Sequence, residues 1–428
     1  MGDDLTTYRQ ALDALFARTT GVSKFGLERT DAFLAMLGRP HLALPVLHVA
    51  GTNGKGSACA TIDAVLRAGG HRVGRYTSPH LVDFRERFLV DGRPIDPAWV
   101  VAFLDRWTPT VESLGVTFFE ATTAMAFAWF VHQEVDVAVI ETGLGGRLDS
   151  TNVVSPLVAT VTSIGIDHVE QLGPTHELIA AEKAGIFKSG APAVIGEADE
   201  PVARLLAAHA RERGASPVVD LWRETPPRQV ETSGLGTTFT LELSEGPRRV
   251  RTPLAGVHQA SNCAVALRTV QSAGGPWWPG WSVACDALDR VTLPGRFQQV
   301  GRWIFDVAHN ADGAAVLAST LRSVPGEPVT AVLCVLGDKD WRGIMTALAP
   351  AVDGFILTNA PTAPASRAWS LDEAVGYAVA QGWTVESAPD FDEALRRAGD
   401  RGGRTVVTGS FHTVGDAMDR LHVSPLGN

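Results

Sequence analysis

Apolar positions recur at helical spacing in Leu5, Tyr8, Leu12, Leu15 and Phe16, and again in Leu27, Phe33, Leu34 and Leu37, which predicts helices over residues 5–18 and 27–37. A continuous apolar run, Val46 to Ala50, then predicts a buried strand, Gly51 to Ser57 a glycine-rich turn, and the stretch up to Ala68 a helix. Further runs at 135–140, 157–164 and 192–195 are separated by helix-like segments at 119–132 and 175–187. This alternation predicts a mostly parallel sheet covered by helices. From 224 to 254 the period changes to two, as in Thr238-Phe239-Thr240-Leu241-Glu242-Leu243, with a hairpin around Ser244-Glu245-Gly246-Pro247. The cluster Trp277-Trp278-Pro279-Gly280-Trp281 is expected to plug the end of a core. A helix-like segment at 282–290 gives way to Leu293-Pro294-Gly295-Arg296, a domain boundary. Beyond it, runs at 303–307, 330–336, 354–357 and 405–407 alternate with helix-like segments at 311–322, 341–350, 370–381, 390–398 and 412–421. The expected fold is therefore α/β: residues 1–294 on a mostly parallel sheet with a small antiparallel β element, and residues 295–428 as a smaller α/β domain.

Length and composition narrow the function. A chain of 428 residues exceeds one comfortable core, which agrees with two domains. Its net charge of −10 argues against sequence-independent nucleic-acid binding, which needs a basic face. Cys59, Cys263, Cys285 and Cys334 are scattered among apolar neighbours, as reduced core thiols are. Met1-Gly2-Asp3-Asp4 is acidic, and the longest apolar stretch, Ala121 to Val131, is too short to span a bilayer. A cytoplasmic protein with neither nucleic-acid nor membrane partners is expected.

The glycine-rich turn carries the chemistry. Glycines let the backbone aim its N–H groups at an anion, the following helix adds its positive end, and Lys55 adds a point charge. A nucleotide triphosphate suits this, although Gly51 stands three residues before Gly54 and Gly56 separates Lys55 from Ser57, unlike the strict G-x-x-x-x-G-K-[ST] pattern. Other strand ends are also polar: Tyr76 to His80, Glu141 to Arg147 and Ser163 to His168 in the first domain. In the second they are Asp306 to Asn310, Gly337 to Asp340 and Gly409 to His412. A triphosphate needs a divalent cation; Ser78 and Glu141 offer oxygens and His168 a nitrogen. Singly, each of these residues reads as a helix cap or turn residue, and imidazole is not a typical magnesium ligand.

The ordered set Val49 to Ser57, Thr77 to Leu81, Phe119-Glu120, Glu141 to Asn152, Ser163 to His168, Glu182 to Ile186, Leu293 to Arg296, Asp306 to Asn310 and Gly409 to His412 resembles bacterial folylpolyglutamate synthase/dihydrofolate synthase. Its wider relatives are the Mur ligases, which place a uridine-nucleotide domain before the ATP loop; the 50 residues preceding Gly51 are too few for that domain. The resemblance implies that Asn53, Gly54, Lys55, Gly56 and Ser57 hold ATP phosphates. It implies that Ser78 and Glu141 bind one Mg²⁺, and that His168 and a carbamylated Lys183 bind a second. Asn262, Arg296 and Asp306 match nucleotide-contacting positions, and His309 one near the nucleotide and incoming amino acid. A pterin site would draw on Ser23, Lys24, Phe25, Thr117 and Leu148, with Lys24-Phe25 standing where a dual-activity relative has Asp-Leu. Ser410 and His412 fall where glutamate contacts are expected, or cap the last helix.

The implied reaction is carboxylate activation by a monomeric ligase. ATP converts the carboxylate of a folate or dihydropteroate into an acyl phosphate, which L-glutamate then attacks. Lys55, Lys183 and His309 would be the catalytic side chains, and closure about Leu293 to Arg296 would exclude water. A nucleotide-hydrolysing switch, or a Mur-type ligase with another substrate, would share the phosphate loop.

Overall fold

The computed structural model describes residues 2–16, 26–324, 326 and 328–427, with side chains from Tyr8 onward. The expected pterin-loop residues Ser23, Lys24 and Phe25 lie outside them. The chain forms two compact units. The first comprises Met1–Ser78, Arg85–Pro226 and Asn262–Arg290; the second comprises Pro79–Phe84, Pro227–Ser261 and Val291–Asn428.

The first unit is built on an eight-stranded sheet of β1 (Val46–Ala50), β2 (Val73–Tyr76), β3 (Phe88–Val90), β4 (Arg93–Pro94), β5 (Val137–Glu141), β6 (Val158–Val161), β7 (Ala193–Ile195) and β8 (Val218–Asp220). Its order is β4-β3-β2-β5-β1-β6-β7-β8, parallel from β2 to β8 with β3 and β4 antiparallel at one edge. All five residues of β1 and of β5 are buried, as strands covered on both faces must be. From β1 the chain runs out to β2, returns to β5, then crosses β1 to reach β6. The switch point of the sheet is thus β1 itself, and ligands gather at the carboxyl ends on either side of such a point. Across that edge the order β2-β5-β1-β6 lines up the Ser78, Glu141, Gly51 and Ser163 segments.

Helix positions follow local chemistry. Thr117 and Glu120 form a reciprocal capping box for Phe118–His132, the helix that absorbs the long apolar stretch. Asp96 with Pro97 and Asp199 with Pro201 start helices Pro97–Leu114 and Glu200–Glu212. No described helix is long and apolar enough to cross a membrane.

The second unit holds two sheets. β9 (Arg228–Ser233), β10 (Gly236–Leu243) and β11 (Gly246–Thr252) form an antiparallel sheet in the order β11-β10-β9, with Ser244 and Glu245 as the two-residue turn. β12 (Gln298–Val300), β13 (Trp303–Phe305), β14 (Val329–Leu333), β15 (Gly354–Leu357), β16 (Val385–Ser387) and β17 (Arg404–Thr408) form the other, in the order β12-β13-β17-β14-β15-β16. Only β12 runs antiparallel there. Helices Ala311–Ser323, Trp341–Leu348, Leu371–Ala380, Phe391–Asp400 and Phe411–Arg420 fall where the helical spacing predicts them.

One expectation needs correction. Of the tryptophan cluster only Trp281 is buried; Trp277 and Trp278 are partly exposed, with Trp277 packed 4.8 Å from the His71 ring. Pro276 and Gly280 break the segment into a short 3-10 turn before helix Trp281–Ala287, so the rings cannot share one inward face.

Gly74 in β2 lies against Phe130, whose ring stands 2.8 Å from where a Cβ would sit. Gly74→Ala is therefore expected to cost about 1–3 kcal/mol through overpacking. Thermal unfolding measures this, and an unchanged Tm would show that the ring yields freely.

Candidate active site

The loop after β1 bends through Gly51 (φ 153°) and Gly54 (φ 87°), and Gly54 precedes helix Lys55–Ala68 with no side chain capping it. Such an uncapped N-terminus leaves its first N–H groups to an anion. A Cβ on Gly54 would collide with the amide of Asn262, and one on Gly51 with Thr162, so both glycines serve close approach as well as backbone angle. Asn262 thus sits against the loop, as a nucleotide-contacting residue should.

The β6 end holds the loop from the other side. Thr52 N–H donates to the Ser163 carbonyl at 2.7 Å, Thr162 Oγ1 donates to the Asn53 carbonyl at 2.7 Å, and Ser163 Oγ donates to the same carbonyl at 3.0 Å. Glu197, just beyond β7, accepts from Ile164 N–H at 2.6 Å and from Asp199 N–H at 2.8 Å.

Two lysines meet at Gly51. Lys55 Nζ donates to the carbonyls of Gly51 and Thr52 at 3.0 and 3.2 Å, and Lys183 Nζ reaches the same Gly51 carbonyl at 2.9 Å. Lys183 is only 4% exposed. Burial first, and the nearby Lys55 charge second, push its amine down to about 7, against the pull of Asp167 and Asp149. Near neutral pH a large share of it is uncharged, unlike an ordinary helix-surface lysine.

Ser78 and Glu141 are neighbours: Ser78 N–H donates to Glu141 Oε2 at 3.3 Å, and Lys55 Nζ lies 4.0 Å from Glu141 Oε1. A hydroxyl and a buried carboxylate beside a phosphate loop form an oxygen donor set that fits Mg²⁺ or Mn²⁺. Among the described residues no group of three or more His, Cys, Asp or Glu side chains could hold a metal. His168 adopts a left-handed conformation (φ 52°), its side chain 43% exposed and 3.8 Å from the Asp167 carboxylate.

Thr117 and Ser410 are committed elsewhere. Thr117 Oγ1 accepts from Glu120 N–H, and the Glu120 carboxylate, besides accepting from Thr117 N–H at 2.7 Å, takes two bonds from Arg29. Ser410 Oγ accepts from Thr413 N–H at 3.0 Å at the start of the last helix. His412 Nδ1 lies 3.0 Å from Thr362 Oγ1, and burial lowers its pKa. Leu148 is partly exposed.

In the second unit Asp306 is half-buried and accepts from Phe297 N–H at 2.9 Å and Ala308 N–H at 3.0 Å. Burial raises its pKa, and the neighbouring Arg296 opposes this. Arg296 lies over the Phe411 ring at 5.2 Å. His309 Nδ1 stands 2.9 Å from the Val307 carbonyl, which can only accept, so Nδ1 carries a proton.

Residues that motif reasoning passed over support the loop after β5. Asp149 Oδ2 accepts from Gly143 and Leu144 N–H at 2.9 and 2.8 Å, and Oδ1 from Thr151 N–H at 3.0 Å. The Asp-x-Thr spacing, which favours a side-chain-to-backbone turn, was the available signal. Asn152 Nδ2 donates to the carbonyls of Arg147 and Gly185, tying this loop to the Lys183 helix.

Comparison with known proteins agrees with this geometry. Residues 49–270 match the Mur ligase middle domain and residues 295–411 the Mur ligase, glutamate ligase domain. The dihydrofolate synthase/folylpolyglutamate synthase of Escherichia coli (strain K12) is 36% identical over 425 residues, 97% of this chain and 95% of that protein. A Mycobacterium tuberculosis folylpolyglutamate synthase complexed with ADP is similar with a TM-score of 0.89 and 34% identity, covering 99% of this chain and 100% of that one. A bifunctional folylpolyglutamate synthase/dihydrofolate synthase with Mn, AMPPNP and L-glutamate bound gives a TM-score of 0.82 at 33% identity, covering 97% and 98%. A chain that carries both domains in this order and matches these enzymes over nearly its whole length belongs to the Mur ligase family, among its dihydrofolate synthase/folylpolyglutamate synthases.

Proposed function

We propose that the protein adds L-glutamate to a folate, to dihydropteroate or to both, at the expense of ATP. The observation that carries this reading is the phosphate loop at the sheet's switch point, with Ser78 and Glu141 beside it and a second lysine beneath it, in a chain of this family. A switch-type nucleotide hydrolase would not call for the glutamate ligase domain at 295–411.

In this reading the substrate carboxylate oxygen attacks the γ-phosphorus and ADP departs. The amine of glutamate then attacks the acyl carbon, phosphate departs, and the amine gives up a proton. Asn53, Gly54, Gly56 and Ser57 present the loop to the phosphates, Lys55 offsets charge growing on the phosphoryl oxygens, and Asn262, Arg296 and Asp306 orient the nucleotide. Ser78 and Glu141 would hold Mg²⁺, whose chemistry is to neutralise the phosphate oxygens and align them. His168 and Lys183, the latter as its carbamate, would hold a second ion. His309 would stand near the nucleotide and the incoming amino acid as a catalytic side chain. Thr117 and Leu148, with Ser23, Lys24 and Phe25, would serve the pterin end, and Ser410 and His412 the glutamate end. With their hydroxyls engaged in helix caps, Thr117 and Ser410 would contribute backbone placement. Residues 1–294 would supply the ATP and folate sites and 295–428 the glutamate-ligase part.

With ATP, Mg²⁺ and a pteroate or folate, ADP release is expected only when L-glutamate is added, with a product heavier by one glutamyl unit; full turnover without glutamate overturns the reading. Lys55→Ala is expected to lower turnover by about two orders of magnitude or more, the scale of one lost transition-state contact, with the fold retained by circular dichroism. Near-normal turnover would mean that the phosphates lie elsewhere. A carbamate at Lys183 forms only from the neutral amine. Because burial lowers this amine to about 7, incorporation of ¹³CO₂ should rise as pH passes upward through that value, rather than near the ordinary lysine range. Carbon NMR of the labelled protein reads this out, and its Lys183→Arg variant should show no signal and no activity. Full activity in Lys183→Arg would exclude a role for the carbamate.

A further inference from the structure

His48 is a fully buried imidazole at the centre of β1, three residues before Gly51. Its Nε2 lies 2.8 Å from Thr151 Oγ1, and its Nδ1 has no hydrogen-bond partner among the described residues. Thr151 Oγ1 in turn lies 2.5 Å from Asp149 Oδ1. These three side chains join the strand that feeds the phosphate loop to the loop that follows β5.

The proton positions along this chain follow from donor and acceptor counting. Burial raises the Asp149 pKa, but the carboxylate accepts three backbone N–H groups, from Gly143, Leu144 and Thr151, which oppose that rise and favour its ionised, acceptor-only form. The Thr151 hydroxyl therefore donates its single proton to Asp149, and Nε2 of His48 must be the protonated nitrogen that donates to Thr151. The opposite arrangement would leave an N–H at Nδ1 buried without a partner, rarer and costlier than an unused lone pair. The ring is neutral: burial, with the Lys188 charge, pushes its pKa down to about 3.

We infer that His48 is a positioning residue for the cation site: by donating to Thr151 it commits that hydroxyl to Asp149, which grips the Gly143 and Leu144 amides and thereby aims Glu141. Glu141 precedes Gly143 by two residues, and Thr142 N–H is bonded to the Val49 carbonyl of β1 at 2.9 Å, so the backbone just after the carboxylate is fastened at two successive residues. Losing the His48 donor frees the Thr151 hydroxyl to turn, leaves Asp149 short of one partner, and loosens the segment next to Glu141. The same segment leads to Leu148, so the pterin end should feel the change as well.

The inference rests on the reading of Glu141 as a metal ligand, and direct Mn²⁺ binding, followed by electron paramagnetic resonance with AMPPNP present, separates the two. Glu141→Ala should weaken Mn²⁺ binding strongly; unchanged affinity in that variant overturns the metal assignment and the inference with it. If Glu141→Ala weakens binding, His48→Leu and the nearly isosteric Thr151→Val should each weaken it about tenfold, the scale typical of groups that orient a ligand, while His48→Gln, which retains an N–H near the Nε2 position, should stay close to the parent. Mn²⁺ affinity unchanged in Thr151→Val, whatever happens to Tm, overturns the inference even if His48→Leu fails to fold. Nitrogen NMR of the histidine-labelled parent, with His48 assigned by its absence in His48→Gln, should show the Nε2–H tautomer. An Nδ1–H ring would reverse the hydrogen-bond direction and also overturn it.

Discussion

Two amines share one carbonyl oxygen. Lys55 and Lys183 approach Gly51 from different helices, and their mutual repulsion in a buried setting is costly unless one is neutral or an anion intervenes. This constraint accounts for the local electrostatics of a protein that is acidic as a whole. Positive charge is concentrated at the carboxyl end of β1, where a phosphate chain would compensate it, and Lys183 is the member whose charge is already weakened. Of the nearby acids, Glu141 at the end of β5 stands 4.0 Å from Lys55, while Asp167 after β6 and Asp149 after β5 act on Lys183.

Holding such an arrangement requires that the loops themselves cannot relax. The β6 loop is bonded to the phosphate loop through Thr52, Asn53, Thr162 and Ser163, and the β5 loop is closed around Asp149. Buried polar groups of this kind contribute little net stability when satisfied and cost much when one partner is lost. Their service is precision: a site that must bring two anions together depends on groups that are already in place.

Much of this was legible in the sequence because its signals are local. Val46–Ala50, the glycines after it and the polar residues closing β2, β5 and β6 each announce themselves within a few residues, and the helices of 295–428 follow apolar spacing closely. What escaped depends on distant partners. Nothing near Lys183 in the chain tells that its amine is buried against Gly51, and a helical Glu-Lys-Ala reads equally as surface. Thr117 also makes a capping box that Glu120, three residues on, marks in the sequence. The alternation over 224–254 marks a β element but not the bounds of its outer strand, because most residues of β9 are exposed and its pairing is with β10. The tryptophan cluster was misjudged because ring count suggested burial, while the prolines and glycines between the rings prevent them from facing one way.

The division of the chain into units has a consequence for biosynthesis. The polypeptide changes unit five times, at 78/79, 84/85, 226/227, 261/262 and 290/291, so neither unit is one continuous stretch. Emerging from the ribosome, the first unit has its eight strands by Asp220 but lacks the helix that begins at His258 and brings Asn262 to the loop. The three-stranded sheet, completed at Thr252, belongs to a unit whose larger sheet begins only at Gln298 and is closed by β17, inserted between β13 and β14 near the end of the chain. Early-made segments must therefore wait for late ones, and such long-range closure slows folding and lengthens the time that unpaired strand edges stay exposed.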